Sequence, residues 1–277
     1  MRERQGRRRF GISSQLVALL PIAALIATVS SNGVSFRRDP KPQPQRARRA
    51  RDAYGSLPLS FEENRGQTDP QVKYLSRGAG YTLFLTSDEV VLKLRAARSR
   101  KKNIPAKYSV LRMQLQGANR NSIATGLGKL PGHSNYFIGK DPGRWHTNVP
   151  TFSAVRLEDI YPGIDLAYRG RRGRLEYDLV VAPRADPNAI AMKIDGADHL
   201  SIDANGDLII GTPGGNVIQK APLIYQRTHG IKRPIDGGYV LRGNRSIAFK
   251  VGAYDHDTTL VIDPLLTYAS YLGGSGG

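Results

Sequence analysis

Paired carboxylates are the groups in this chain that come nearest to supporting a reaction. An acid and a base on either side of a sugar can hydrolyse a glycosidic bond. Two pairs stand close enough in the sequence, Glu62 with Glu63 and Glu176 with Asp178. Glu176 and Asp178 lie on the polar side of an alternating run, where a charge facing water is the ordinary outcome. Glu62-Glu63-Asn64-Arg65 reads as a buried turn in which Arg65 pairs with a carboxylate. Neither pair makes a catalytic set, so no enzyme is expected. Trp145, the only tryptophan, sits in Gly143-Arg144-Trp145-His146-Thr147. Its ring has a face for a sugar, although a lone Trp more often packs in a core or hinge. The ligand-contact candidates are therefore Trp145, Glu62, Arg65, Glu176 and Asp178.

Metal and phosphate chemistry find less support. The five histidines, at 133, 146, 199, 229 and 256, are scattered without a short ligand spacing. Asp203-Ala204-Asn205-Gly206-Asp207 matches the first half of a calcium loop, but Leu208-Ile209-Ile210 follows at once in place of a distal Glu, and a hairpin turn is expected. Tyr254-Asp255-His256-Asp257 reads as a polar turn before a strand. The glycines at 126, 128 and 211–215 carry no phosphate-loop Lys followed by Ser or Thr. The chain has no cysteine, which excludes disulfides, thiolate sites and cysteine nucleophiles. No cofactor and no metal are expected.

The segments around these residues read as strands. Thirty Gly and 17 Pro mark many turns, and Tyr outnumbers Phe by 13 to 7, a balance that favours short strands over long helices. Val72–Leu75, Tyr81–Leu85 and Val90–Leu94 form a meander with short loops. In Tyr108–Leu115, Val110, Met113 and Leu115 are expected inward, with Arg112 and Gln114 facing water. Ile164–Tyr168 turns into Leu175–Val181, whose inner face is Leu175, Tyr177, Leu179 and Val181. Leu200–Ile202 with Leu208–Ile210, and Tyr239–Leu241 with Ile247–Phe249, are hairpins around Asn205-Gly206 and Gly243-Asn244. Leu260–Ile262 ends at Asp263-Pro264. Short helical turns are expected at Ser153–Ile160 and Pro187–Ala191. The fold class is all-β, an antiparallel sandwich or a pair of packed sheets.

The net charge of +18 is unevenly placed. Residues 1–31 carry +4, residues 32–51 carry +6 and residues 93–107 carry +7, which leaves the remainder at about +1. The first stretch has a positive start (Arg2, Arg4, Arg7, Arg8, Arg9), an apolar run Leu16–Val29 and small polar residues Ser30 and Ser31. That is the layout of a secretory signal peptide, too short to span a bilayer and interrupted by Pro21. Cleavage is expected after Ser31. Arg7-Arg8-Arg9-Phe10 resembles the twin-arginine pattern, from which Gly11 departs. Residues 32–53, with Pro at 40, 42 and 44, read as a basic disordered linker. The expected localisation is extracytoplasmic.

The last ten residues, Tyr268-Ala269-Ser270-Tyr271-Leu272-Gly273-Gly274-Ser275-Gly276-Gly277, resemble the opening of an SBBP repeat, a bacterial β-propeller repeat, with Ala269 and Ser270 in place of the commoner Ser and Thr. Upstream, Phe61-Glu62-Glu63-Asn64-Arg65-Gly66-Gln67, Asn135–Gly139, Tyr161–Leu166, Leu175–Asp178 and Leu260–Pro264 resemble the uncharacterised N-terminal domain that precedes such repeats in exported bacterial proteins. The resemblance implies a β-rich domain over residues 54–267 leading into a propeller repeat at 268–277. It implies no activity. One repeat cannot close a propeller, so a longer protein is expected.

The leading expectation is an exported cell-surface or periplasmic β module with a structural, adhesion or carbohydrate-contact role. Its partners would be cell-envelope polysaccharide or other surface proteins. No specific nucleic acid is expected, and membrane contact only through the leader or the basic tail. One alternative is an envelope enzyme of the glycoside hydrolase kind. Another is binding of nucleic acid or an anionic surface through the basic tail and the 93–107 loop.

Overall fold

Alternating apolar residues between tight turns build an antiparallel ladder that runs through most of the chain. The computed structural model describes residues 59–78, 80–95, 108–171, 174–213 and 215–268. The expected signal peptide, the linker, the basic loop from 96 to 107 and residues 269–277 of the repeat motif lie outside them. The strands are β1 (Phe61–Glu63), β2 (Tyr74–Gly78), β3 (Tyr81–Leu85), β4 (Glu89–Arg95), β5 (Tyr108–Leu115), β6 (Ala124–Tyr136), β7 (His146–Tyr161), β8 (Ile164–Arg171) and β9 (Arg174–Val181). They continue as β10 (Ala191–Asp195), β11 (His199–Ile202), β12 (Leu208–Thr212), β13 (Gly215–Gln219), β14 (Leu223–Thr228), β15 (Ile231–Pro234), β16 (Gly237–Arg242), β17 (Ser246–Val251), β18 (Leu260–Asp263) and β19 (Leu265–Tyr268). The described residues contain no α-helix, only 3-10 turns at Pro142–Arg144 and Pro187–Ala189.

Two arms diverge from β7. Near its start, Phe61 and Glu62 of β1 pair with Phe152 and Thr151, and β1 leads through β2, β3, β4, β5, β10 and β17 to β16. Farther along, β8 pairs with residues 154–161 and leads to β9. Next to β9 the chain from 260 to 268 keeps one register, but Pro264 interrupts it. Proline has no N–H to give a ladder. On the far side of that break the sheet parts, β18 pairing with β14 and β19 with β13. The ladders do not close into a barrel, and no propeller is formed among the described residues.

The arms face each other across one core. Val90, Met113, Leu115 and Met192 of the first arm meet Leu166, Tyr177 and Leu179 of the second around a void of about 10 Å³. The Tyr161 hydroxyl donates to the carbonyls of Gln116 and Ala191, 3.1 Å each, which ties the arms at one end. Each fully buried Leu or Ile in this cluster contributes about 1.5–3 kcal/mol.

Most expected hairpins are present, with two corrections. In β5 Leu111 is fully buried and Val110 is 37% exposed, so the inward set is 111, 113 and 115. A strict period of two cannot place 110 with 113. Ser153–Ile160 is not helical but lies within β7, where Val155 and Leu157 alternate into the core and a bulge near Asp159 (φ 48°) restores Ile160 and Tyr161 to it. The expected helical turn at Pro187–Ala191 is a 3-10 turn of three residues. Asp186 accepts the Asn188 N–H at its start, and β10 begins at Ala191.

Candidate functional site

The N-terminal end of β7 collects most of the chemistry. Phe61 on β1 is buried in the core, so Glu62 points from the opposite face, yet it is only 8% exposed. Arg77 of β2 and Tyr136 at the end of β6 cover it. The Arg77 Nη1 donates to both Glu62 carboxylate oxygens, at 3.1 and 3.2 Å. The Tyr136 hydroxyl donates to Glu62 Oε2 and accepts from Arg77 Nη1, both in short contacts. The guanidinium also lies 5.2 Å from the centre of the Tyr136 ring. Burial pushes the Tyr136 hydroxyl up to about 12, and the Glu62 hydrogen bond adds to the rise while Arg77 opposes it. Glu62 is thus held by a cation and a neutral donor.

Beside this triad is a polar cleft of about 560 Å³, lined by Glu63, Asn64, Gly66, Thr68, Lys73 and Tyr74, among others. Its wall is a braced loop. The Asn64 side chain donates to the carbonyls of Asp69 and Val72, 2.8 Å each, and accepts from the N–H groups of Gly66 and Thr68. Gln67 donates to the Glu63 carbonyl and accepts from the Arg65 N–H, both at 2.6 Å. Arg65 pairs with Glu63 at 3.2 Å, the expected carboxylate contact, although both side chains are substantially exposed. Gly66 backs onto the His146 imidazole so closely that a Cβ would stand 2.9 Å from it.

One residue before His146 is Trp145. It lies at the tip of the β6–β7 hairpin, not in the core or a hinge: it is 38% exposed and meets Phe137, itself 64% exposed, edge to face at 5.2 Å. Ile138 adds to the patch, and Lys140 and Arg144 flank it. Asp141 caps the turn by accepting the Gly143 N–H at 2.9 Å.

Glu176 and Asp178 lie elsewhere, on β9. The expected exposure is wrong for Asp178, which is 8% exposed because side chains from both neighbouring strands, Arg169 and Asp263, pack against it. Arg169 of β8 reaches its Oδ2 at 3.1 Å, and Asp263 stands against it from the other neighbouring strand. Burial raises the Asp178 carboxyl to about 6, Arg169 pulls it down, and the hydrogen-bonded Asp263 pushes it up. Two carboxyls in contact favour sharing one proton. Glu176 stays half-buried.

Of the five expected residues, the structure brings Glu62, Arg65 and Trp145 to one end of β7 and leaves Glu176 and Asp178 apart. Sequence reasoning missed Arg77, Tyr136, Arg169 and Asp263, none of which stands next to its partner in the chain. The polar turns are as expected. Asp203 accepts from the Asn205 and Asp207 N–H groups at 2.9 Å, and Asp257 pairs with Arg184 at 2.8 Å. Among the described residues no three His, Cys, Asp or Glu side chains converge on a metal position.

A family model, a domain of unknown function designated DUF7948, matches residues 61–265, from the first residue of β1 to the first of β19. The chain belongs to this family. No curated protein and no solved structure matches it. The DUF7948 match contains the triad, the cleft, the aromatic tip and the Asp178–Asp263 pair.

Proposed function

We propose that this DUF7948 domain is an exported, non-catalytic contact module that engages cell-envelope polysaccharide with the β6–β7 tip and the neighbouring cleft. The observation that carries the reading is the exposed edge-to-face pair of Phe137 and Trp145. Exposed aromatic rings are costly to hydrate and offer apolar faces to the C–H faces of a sugar. The cleft a few residues away supplies polar groups for hydroxyls. The signal-like leader supports export, and the SBBP-like phrase from Tyr268 supports a propeller following the domain. A non-catalytic role is supported by the engagement of Glu62 with Arg77 and Tyr136.

As the sole tryptophan, Trp145 reports on its own site. Titrating the full chain with a panel of neutral and acidic polysaccharides is expected to shift its emission. Phe137→Ala should weaken that response, and Trp145→Ala should abolish binding followed by calorimetry. Binding that survives both substitutions would refute the reading. One observation favours a hydrolase instead, the Asp178 carboxyl raised to about 6 beside Asp263. Release of reducing ends that disappears in Asp178→Asn would establish that alternative.

A further inference from the structure

We infer that the β14–β15 hairpin is a binding site for acidic polysaccharide, separate from the aromatic tip. The hairpin closes on a two-residue turn, His229-Gly230, with φ of 51° and 78°. Positive φ at both positions is the conformation that matches strand twist, so the strands are held in tight register. That register sets Arg227 directly opposite Lys232. Like charges on one rung repel. Both lean on one ring: the Lys232 Nζ is 3.9 Å and the Arg227 Cζ 5.6 Å from the centre of Tyr225. Arg233 adds a third cation on the other face of the ribbon. Among the described residues none of the three forms an ion pair. Of the acids around the hairpin, Asp255 is engaged by Thr258 at 2.7 Å and Asp257 by Arg184 at 2.8 Å, while Asp236 is exposed in the connection that follows β15.

An anionic group between Arg227 and Lys232 would relieve their repulsion and complete the site. β15 is exposed at all four residues and, among the described residues, pairs only with β14, whose Arg227 is exposed beside it while Ile224, Tyr225 and Gln226 are buried. Two exposed cations on one rung do not enclose a small ion but suit a chain carrying repeated carboxylates or sulfates, which can touch several cations at once. Nucleic acid fits less well. Single strands are held by bases stacked on exposed aromatics, and the Tyr225 ring is 7% exposed beneath the two cations. A bilayer would find one apolar anchor, Ile231, 68% exposed. The register also sets this hairpin at the opposite end of β7 from Trp145: β14 runs outward past Leu260, which pairs with Val181, which pairs with Ile164 beside Tyr161. The two contacts can therefore fail independently.

The test measures affinity of the full chain for polygalacturonate, with neutral dextran, phosphatidylglycerol vesicles and a single-stranded oligonucleotide as comparisons, over a range of salt. Arg227→Gln with Lys232→Gln is expected to weaken polygalacturonate binding about tenfold and to flatten the slope of log affinity against log salt by about two. Removing the same charge from β16–β17, by Arg242→Gln with Lys250→Gln, is expected to leave both unchanged. Lys232→Arg should retain binding and Lys232→Gln alone should weaken it, a comparison that stands even if the double variant folds poorly. Equal losses in the β16–β17 variant would show diffuse charge and overturn the proposal. So would absence of polygalacturonate binding, or a dependence on residues 227 and 232 that appears for vesicles or DNA but not for the polysaccharide.

Discussion

Replacing Asp178 by Asn asks whether the carboxyl pair between β9 and β18 stores a proton or forms an ion pair. Burial lifts the Asp178 carboxyl from the ordinary 3.8 to about 6, against the pull of Arg169 and with the help of Asp263. Between those two values the folded chain holds a proton that the unfolded chain has released. The contribution of this group to stability is therefore full below about pH 3.8 and is lost as the pH rises through about 6. At 1.36 kcal/mol per pH unit the rise corresponds to at most about 3 kcal/mol. The Arg169 side chain is 58% accessible, so solvent screens the site, and about 1–2 kcal/mol is the expected loss by pH 7.5. Asn can still donate to Asp263 but does not titrate. Urea unfolding of both proteins at pH 4 and pH 7.5 separates the Asp178–Asp263 site from the rest of the chain, which is the same in each. The stability of Asp178→Asn relative to the native chain should improve by about 1–2 kcal/mol between the two pH values. A relative stability that stays level, or falls at pH 7.5, would mean that Asp178 is ionised and held by Arg169, and the reasoning would fail.

Tyr136→Phe removes the hydroxyl that donates to Glu62 and should cost about 1–2 kcal/mol, read as a lower urea midpoint with an unchanged slope. Gly196→Ala forces a side chain into a backbone with φ of 89° and sets its Cβ 2.1 Å from the Val110 carbonyl oxygen. A loss of about 2–4 kcal/mol and a clear fall in Tm are expected. Leu179→Ala empties part of the packed face between the arms and should cost about 2–5 kcal/mol by the same measurement. Trp145→Ala, at an exposed hairpin tip, should change stability by no more than about 0.5 kcal/mol, so that any loss of glycan binding can be assigned to contact.

The local part of the fold was legible in the residue pattern. Alternation in Leu175–Val181, and the glycine-bearing turns before Leu208 and after Leu241, specify hairpins because a strand's faces and a tight turn's angles depend on residues a few places apart. β6 escaped that reading. Its glycines and Pro131 carry no apolar alternation, and it is a strand because β7 pairs with it along its length, Pro131 falling where the register shifts between Lys129 and His133. Arg65 with a carboxylate was also legible, since the Glu63 contact spans two residues. Tertiary structure alone decided which polar residues are buried. Glu62 is covered by Arg77 and Tyr136, 15 and 74 residues away, and Asp178 by Arg169 and Asp263 of the neighbouring strands. An alternating pattern tells which side of a strand a residue occupies, but not whether another element will cover that side. The same limit applies to Trp145 and to the Arg227–Lys232 rung. Trp145 was expected in a core or hinge, and nothing singled out Arg227 and Lys232 until pairing registers placed the two sites at opposite ends of β7.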